Sequence, residues 1–83
     1  MNTSDLKLLK SRLDKAVRIF CLDGEVIVAK VLFVSENEGD LSYDLISTNR
    51  ESQYEKLDRQ PAYLIRFDDI SAVEAADESV IVH

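Results

Sequence analysis

The run from Val17 to Val34 constrains this chain most, because it folds an apolar segment back on itself at Asp23-Gly24. Val17, Ile19 and Cys21 alternate with Arg18, Phe20 and Leu22, the period of two that marks a strand, and Asp-Gly tolerates the positive φ of a tight hairpin turn. The second arm, Glu25 to Ser35, is longer than an ordinary strand and almost continuously apolar. That pattern predicts a strand buried on both faces and bent as it passes between two layers. Long bent central strands build small barrels.

Before the hairpin, Leu6, Leu9 and Leu13 recur at helical spacing after Asn2-Thr3-Ser4, any of which can cap a helix, and Asp5 suits the first turn. The spacing predicts a helix over residues 4–14 that packs these leucines against an open end of the sheet, with Leu8 off the stripe. Lys7, Lys10 and Asp14 fall on its other face, with Arg12 and Lys15 toward the opposite flank. They read either as a solvated face with an i,i+4 Lys10/Asp14 pair or as a basic contact surface.

After the hairpin, residues 36–40 form a turn by composition, and Leu41, Tyr43 and Leu45 alternate with polar neighbours. The predicted strands span residues 16–22, 25–35, 41–48, 62–67 and 70–75. Residues 49–60 are polar and read as an exposed loop, with a helical turn also allowed, and Pro61 forbids a central ladder bond there. The tail, residues 76–83, carries Val80, Ile81 and Val82, which either add to a neighbour's sheet edge or hang free.

Residues 1–83 are expected to form a single domain that buries only about 60–65% of its unfolded surface, so a partner subunit would help it. The lone Cys21 cannot form an internal disulfide and fits a reducing cytoplasm. No leader precedes the first periodic segment and no apolar run approaches the roughly 18 residues of a membrane span, which predicts a soluble, cytoplasmic protein. The net charge of −6 divides unequally: residues 1–30 hold six basic and four acidic groups (+2), and residues 31–83 hold four basic and twelve acidic groups (−8). Binding driven by a general basic excess is excluded, which leaves room only for a localised basic site.

Catalysis has little to stand on. The sole histidine is His83, no serine or cysteine is paired with a base in the pattern, and two glycines, Gly24 and Gly39, do not make a phosphate loop. Asp68-Asp69 with Glu74 invites comparison with a hard-cation site, but a turn explains the adjacent pair. The expectation is no enzyme activity, no metal and no cofactor.

Taken together, the order of helix, Asp23-Gly24 hairpin, long bent strand, acidic loop ending at Asp40, third strand, variable loop and two short strands around Arg66-Phe67-Asp68 resembles the Sm and Sm-like family, which includes the bacterial host factor Q. Val17-Arg18-Ile19 through Val34 resembles its first signature, and Leu64 to Ile70 with Val73-Glu74 its second. The resemblance implies a mainly β fold, an N-terminal helix followed by a strongly bent five-stranded antiparallel barrel of SH3-like type. It also implies a homo-oligomeric ring of about five to seven copies, closed by pairing the fourth strand of one copy with the fifth of the next. Tyr63, Leu64, Ile65, Ile70, Ala72 and Val73 are then the candidate interface residues.

The same resemblance implies a site for single-stranded RNA or DNA where the loop after the second strand meets the turn between the fourth and fifth. Asp40 occupies the place of a base-reading Asn, Glu38 or its neighbour that of a stacking residue, Arg66 that of a pore arginine and Phe67 that of the glycine after it. Arg66, Phe67, Asp68, Asp40 and Asn37 are the candidate contacts there, with Lys7, Lys10 and Arg12 on the helix-bearing face. The acidic residues argue against uridine-tract specificity. The alternative is a protein-interaction scaffold whose acidic surface meets basic partners.

Overall fold

The computed structural model describes residues 2–50 and 62–76. A helix, α1 (Thr3–Ser11), precedes five strands: β1 (Ala16–Cys21), β2 (Val26–Ser35), β3 (Asp40–Thr48), β4 (Tyr63–Arg66) and β5 (Ile70–Ala75). They form one antiparallel sheet in the order β4-β3-β2-β1-β5. The fold is mainly β, as the hydrophobic pattern predicts. β4 and β5 are opposite edges of the sheet, yet only the 3-10 turn Phe67–Asp69 joins them. Three residues span about 10 Å at most, so the sheet must curl until its edges nearly meet. A cleft of about 370 Å³ is lined by Leu64 and Ile65 of β4, by Cys21 and Leu22 at the β1–β2 hairpin and by Asp69 of the turn.

The curl is produced by register shifts in the strand ladders. Val31 pairs with Tyr43 but Phe33 with Ser42, so Leu32 is an extra residue in β2, and a second shift follows Val28. Each bulge changes which side chains face inward. Ile27, Ala29 and Val31 are buried before the Leu32 bulge and Val34 packs on the core after it, whereas Phe33 is 63% exposed. β2 is therefore covered on one face within the chain, which corrects the expectation of burial on both.

Asn2 is the N-cap of α1, accepting from the Asp5 N–H at 2.8 Å. The helix ends three residues short of the predicted Asp14. Asp14 adopts φ 64°, a left-handed conformation Asp tolerates, and residues 13–15 turn to pair with β2 through Asp14 N–H to Val31 O and Val31 N–H to Lys15 O. Leu9 is fully buried, worth about 2 kcal/mol. Leu13, beyond the helix, is 48% exposed, and Leu8 packs on the core instead. The helix rests mainly on β5, with a smaller contact on β2.

At the hairpin, Gly24 takes φ +94° and Asp23 accepts from the Glu25 N–H, while Arg50, just past β3, pairs with the Asp23 carboxylate at 2.8 Å. The core gathers Leu9, Val17, Ile19, Ile27, Val31, Leu41 and Tyr43, and Tyr43 stacks on Tyr63. Among the described residues no helix is long and apolar enough to cross a membrane. Most of the polar segment before Ala62, including Tyr54 and Pro61, and the tail after Ala76 lie outside the described residues.

Candidate nucleic-acid interface

The loop after β2 is closed by its own backbone. Gly39, at φ +71°, donates to the Ser35 carbonyl at 2.9 Å, and the Ser35 hydroxyl accepts from the Glu38 N–H. The Phe67 N–H then donates to the Gly39 carbonyl at 2.8 Å, which fastens the β4–β5 turn to this loop. Two segments nearly thirty residues apart in sequence are thus held together at one end of the barrel, as the ring-family resemblance implies for Asp40 and Arg66.

Asp40 and Arg66 are direct cross-strand partners, and Ser35 lies opposite Asp40 on its other side. Leu41 and Tyr43 point into the core, so alternation sends Asp40 and Ser42 to the outer face, where Arg66 and Leu64 also lie. Asp40 is 9% exposed, and its carboxylate makes no hydrogen bond or ion pair among the described residues. Because no buried side-chain oxygen or nitrogen lacks a partner there, what remains accessible of Asp40 includes its carboxylate. Arg66 is exposed and is likewise unpaired among the described residues. The next outward row is Phe33, Ser42 and Leu64, a small side chain between two large apolar ones that are each 63% exposed.

The other candidates divide. Asn37 is exposed in the same loop, and Asp68 is exposed in the β4–β5 turn. Phe67, a candidate contact, packs against the core, and Phe33 is an exposed aromatic on this face. Its exposure depends on the Leu32 bulge, which no residue of β2 signals in sequence. Lys10 pairs with Glu36 at 3.0 Å rather than with Asp14, so the helix touches the loop through an exposed ion pair worth about 0.2–1 kcal/mol. Lys7 is exposed one helical turn earlier.

Arg12 departs from its expected role. Its guanidinium is half-buried, donating through Nε and Nη2 to the Ala16 carbonyl at 3.1 and 2.8 Å and through Nη2 to the Ala76 carbonyl at 2.9 Å. It ties the end of α1 to the start of β1 and the end of β5, and does not point toward a ligand. Ile70 and Val73 are also corrected: both are buried in this chain's own core, because β5 bulges at Ser71 and turns both inward, so neither is available to a neighbour. Leu64 is well exposed, Tyr63, Ile65 and Ala72 are half-buried, and among the described residues β4 and β5 each pair on one side only.

Among the described residues, Asp68 and Asp69 form no cluster with Glu74, which pairs with Arg18 at 3.5 Å. Elsewhere the Cys21 thiol and the Asp23 and Glu25 carboxylates offer atoms within 4.8 Å of one another. Asp23 is already served by the Glu25 N–H, which holds its carboxyl below the usual value, and by Arg50; Glu25 accepts from the Thr48 hydroxyl. Burial, with Glu25, Asp23 and Asp69 nearby, pushes the Cys21 thiol from 9.0 up to about 11, the opposite of an activated nucleophile.

No protein-family model matches the sequence, and no curated protein matches it. Among solved structures, the chain is similar to the SmAP (LSm) protein from Methanococcus vannielii, at 16% sequence identity and a TM-score of 0.64, over 89% of this chain and 99% of that one. The helix, the strand order and the edges brought together by a three-residue turn therefore make up an Sm-like fold.

Proposed function

We propose that this chain is an Sm-like protein that assembles into a homo-oligomeric ring of about five to seven copies and binds single-stranded nucleic acid at the end of the barrel that carries Asp40 and Arg66. One observation carries the reading: the Phe67 N–H to Gly39 carbonyl bond locks the β2–β3 loop to the β4–β5 turn, at a junction where the Arg66 guanidinium is unpaired among the described residues. Ring closure is supported by β4 and β5, each of which pairs on one side only among the described residues, and by Leu64 exposed on β4. A ring repeats Arg66 at the pore and concentrates a cation that the chain's −6 charge otherwise opposes. The protein acts by binding, in the reducing cytoplasm that a lone thiol suits, without a metal or cofactor of its own.

Sedimentation tests the assembly: wild-type protein should run as a closed oligomer at tens of micromolar, and Leu64→Asp as a folded monomer. A wild-type monomer would remove the ring. The exposed acids Glu38, Asp68 and Asp69 beside Arg66 support a second reading, a scaffold for basic protein partners, which takes over if no oligonucleotide binds at low salt.

A further inference from the structure

We infer that Asp40 and Arg66 together read the edge of a guanine base, a specificity that rests on the nucleic-acid reading above. The two residues are cross-strand partners on one face, with Cβ atoms about 5 Å apart. An ionised carboxylate only accepts hydrogen bonds and a guanidinium only donates them. Side by side they present two acceptors followed by two donors. Guanine is the one common base whose contiguous edge runs donor, donor, acceptor, acceptor, through N2–H, N1–H, O6 and N7. Uracil offers acceptor, donor, acceptor; cytosine, acceptor, acceptor, donor; and adenine, acceptor, donor, acceptor across N1, N6 and N7. Each of those gives the Asp40 carboxylate at most one donor, where guanine gives it two.

The carboxylate's surroundings favour a ligand. Asp40 is nine-tenths buried, and its carboxylate keeps solvent access with no partner among the described residues, so it can accept bidentate donors without breaking an internal bond. Arg66 has no competing carboxylate within ion-pair distance among the described residues. Phe33 lies diagonally across the sheet, about 7–8 Å from Asp40, with its ring exposed, and Ser42 leaves a shallow step between Phe33 and Leu64. A base with its edge at Asp40 and Arg66 meets the Phe33 ring as a stacking surface. Asp40 repels phosphate, so the backbone runs outside the pair and only the neutral base enters.

The test is fluorescence anisotropy of the full chain with short labelled single strands of alternating adenine-guanine, adenine-cytosine and adenine-uracil, a format that avoids guanine quadruplexes. The adenine-guanine strand should bind about tenfold or more tightly than the adenine-uracil strand. Asp40→Asn, with its fold checked by circular dichroism, should bring that ratio to within about twofold, because an amide offers one donor and one acceptor and suits uracil as well. Arg66→Lys, at an exposed position where folding is not at stake, should also collapse the ratio, since an ammonium is not a fork. Equal wild-type affinities for all three strands overturn guanine reading while nucleic-acid binding stands. A preference that survives both substitutions overturns it too, and no binding to any strand overturns this proposal together with the reading it rests on.

Discussion

Arg12→Ala separates a structural arginine from a ligand-binding one. In the folded chain the Arg12 guanidinium donates to two carbonyls, those of Ala16 and Ala76. The Ala16 carbonyl keeps a second partner, the Ala76 N–H at 3.2 Å, so truncation does not orphan it. The Ala76 carbonyl has no other donor among the described residues and belongs to a buried residue, and leaving it unsatisfied costs about 1–3 kcal/mol. Part of the value of the charge-assisted bonds to Ala16 is lost as well, and since the group is half-buried the expected total is about 2–3 kcal/mol. Arg12→Lys should recover only part of this, because one ammonium cannot reproduce the fork. Urea denaturation at a fixed protomer concentration measures the loss, a control that matters where assembly contributes to stability. Oligonucleotide affinity under native conditions should change by less than about threefold, the part a lost rim charge accounts for. A variant as stable as wild type with affinity down by tenfold or more would refute the reasoning and return Arg12 to the binding surface.

Leu9→Ala should cost about 2–5 kcal/mol and lower the helical signal in circular dichroism, whereas Leu13→Ala, at a half-exposed position beyond the helix, should cost less than about 1 kcal/mol; equal losses would mean that both leucines anchor the helix. Cys21 should alkylate slowly: with its thiol at about 11 instead of 9.0, its thiolate fraction at pH 8 is about a hundredfold below that of an ordinary thiol, and iodoacetamide kinetics against the urea-unfolded chain measure the ratio. Because this value is raised by folding, the stability it contributes is complete below pH 9.0 and is lost as pH rises from 9.0 toward 11, so urea midpoints should fall across that window in wild type more than in Cys21→Ala.

The elements were legible because their periods are strong and their breaks are chemical. Asp23-Gly24 and the Glu36-to-Gly39 turn are written in residues that tolerate unusual φ, and strand alternation between them is plain in Val17, Ile19 and Leu41, Tyr43. Bulges are not written that way. The extra residue at Leu32 is an ordinary apolar side chain, yet it moves Phe33 to the surface, and Ser71 does the same work in β5 by turning Ile70 and Val73 inward. Helix length was misread because Leu13 continues the leucine spacing; only tertiary pairing with Val31 shows that the chain has already left the helix. At the site, the meeting of Asp40 with Arg66 follows from strand order, and so was within reach of a family resemblance. The diversion of Arg12 to backbone carbonyls and of Lys10 to Glu36 depends on where the helix lands, which no local pattern encodes.

Under the proposed function, Arg66, repeated by symmetry, holds single-stranded nucleic acid on an otherwise acidic assembly. The most direct measurement is anisotropy of a labelled single-stranded oligonucleotide at low salt with wild-type protein and with Arg66→Glu, alongside sedimentation of both. The wild type should bind with an affinity that weakens as salt rises, Arg66→Glu should not bind, and the two proteins should sediment alike. An absent wild-type signal at the lowest salt, or an Arg66→Glu assembly that binds as the wild type does, would contradict it.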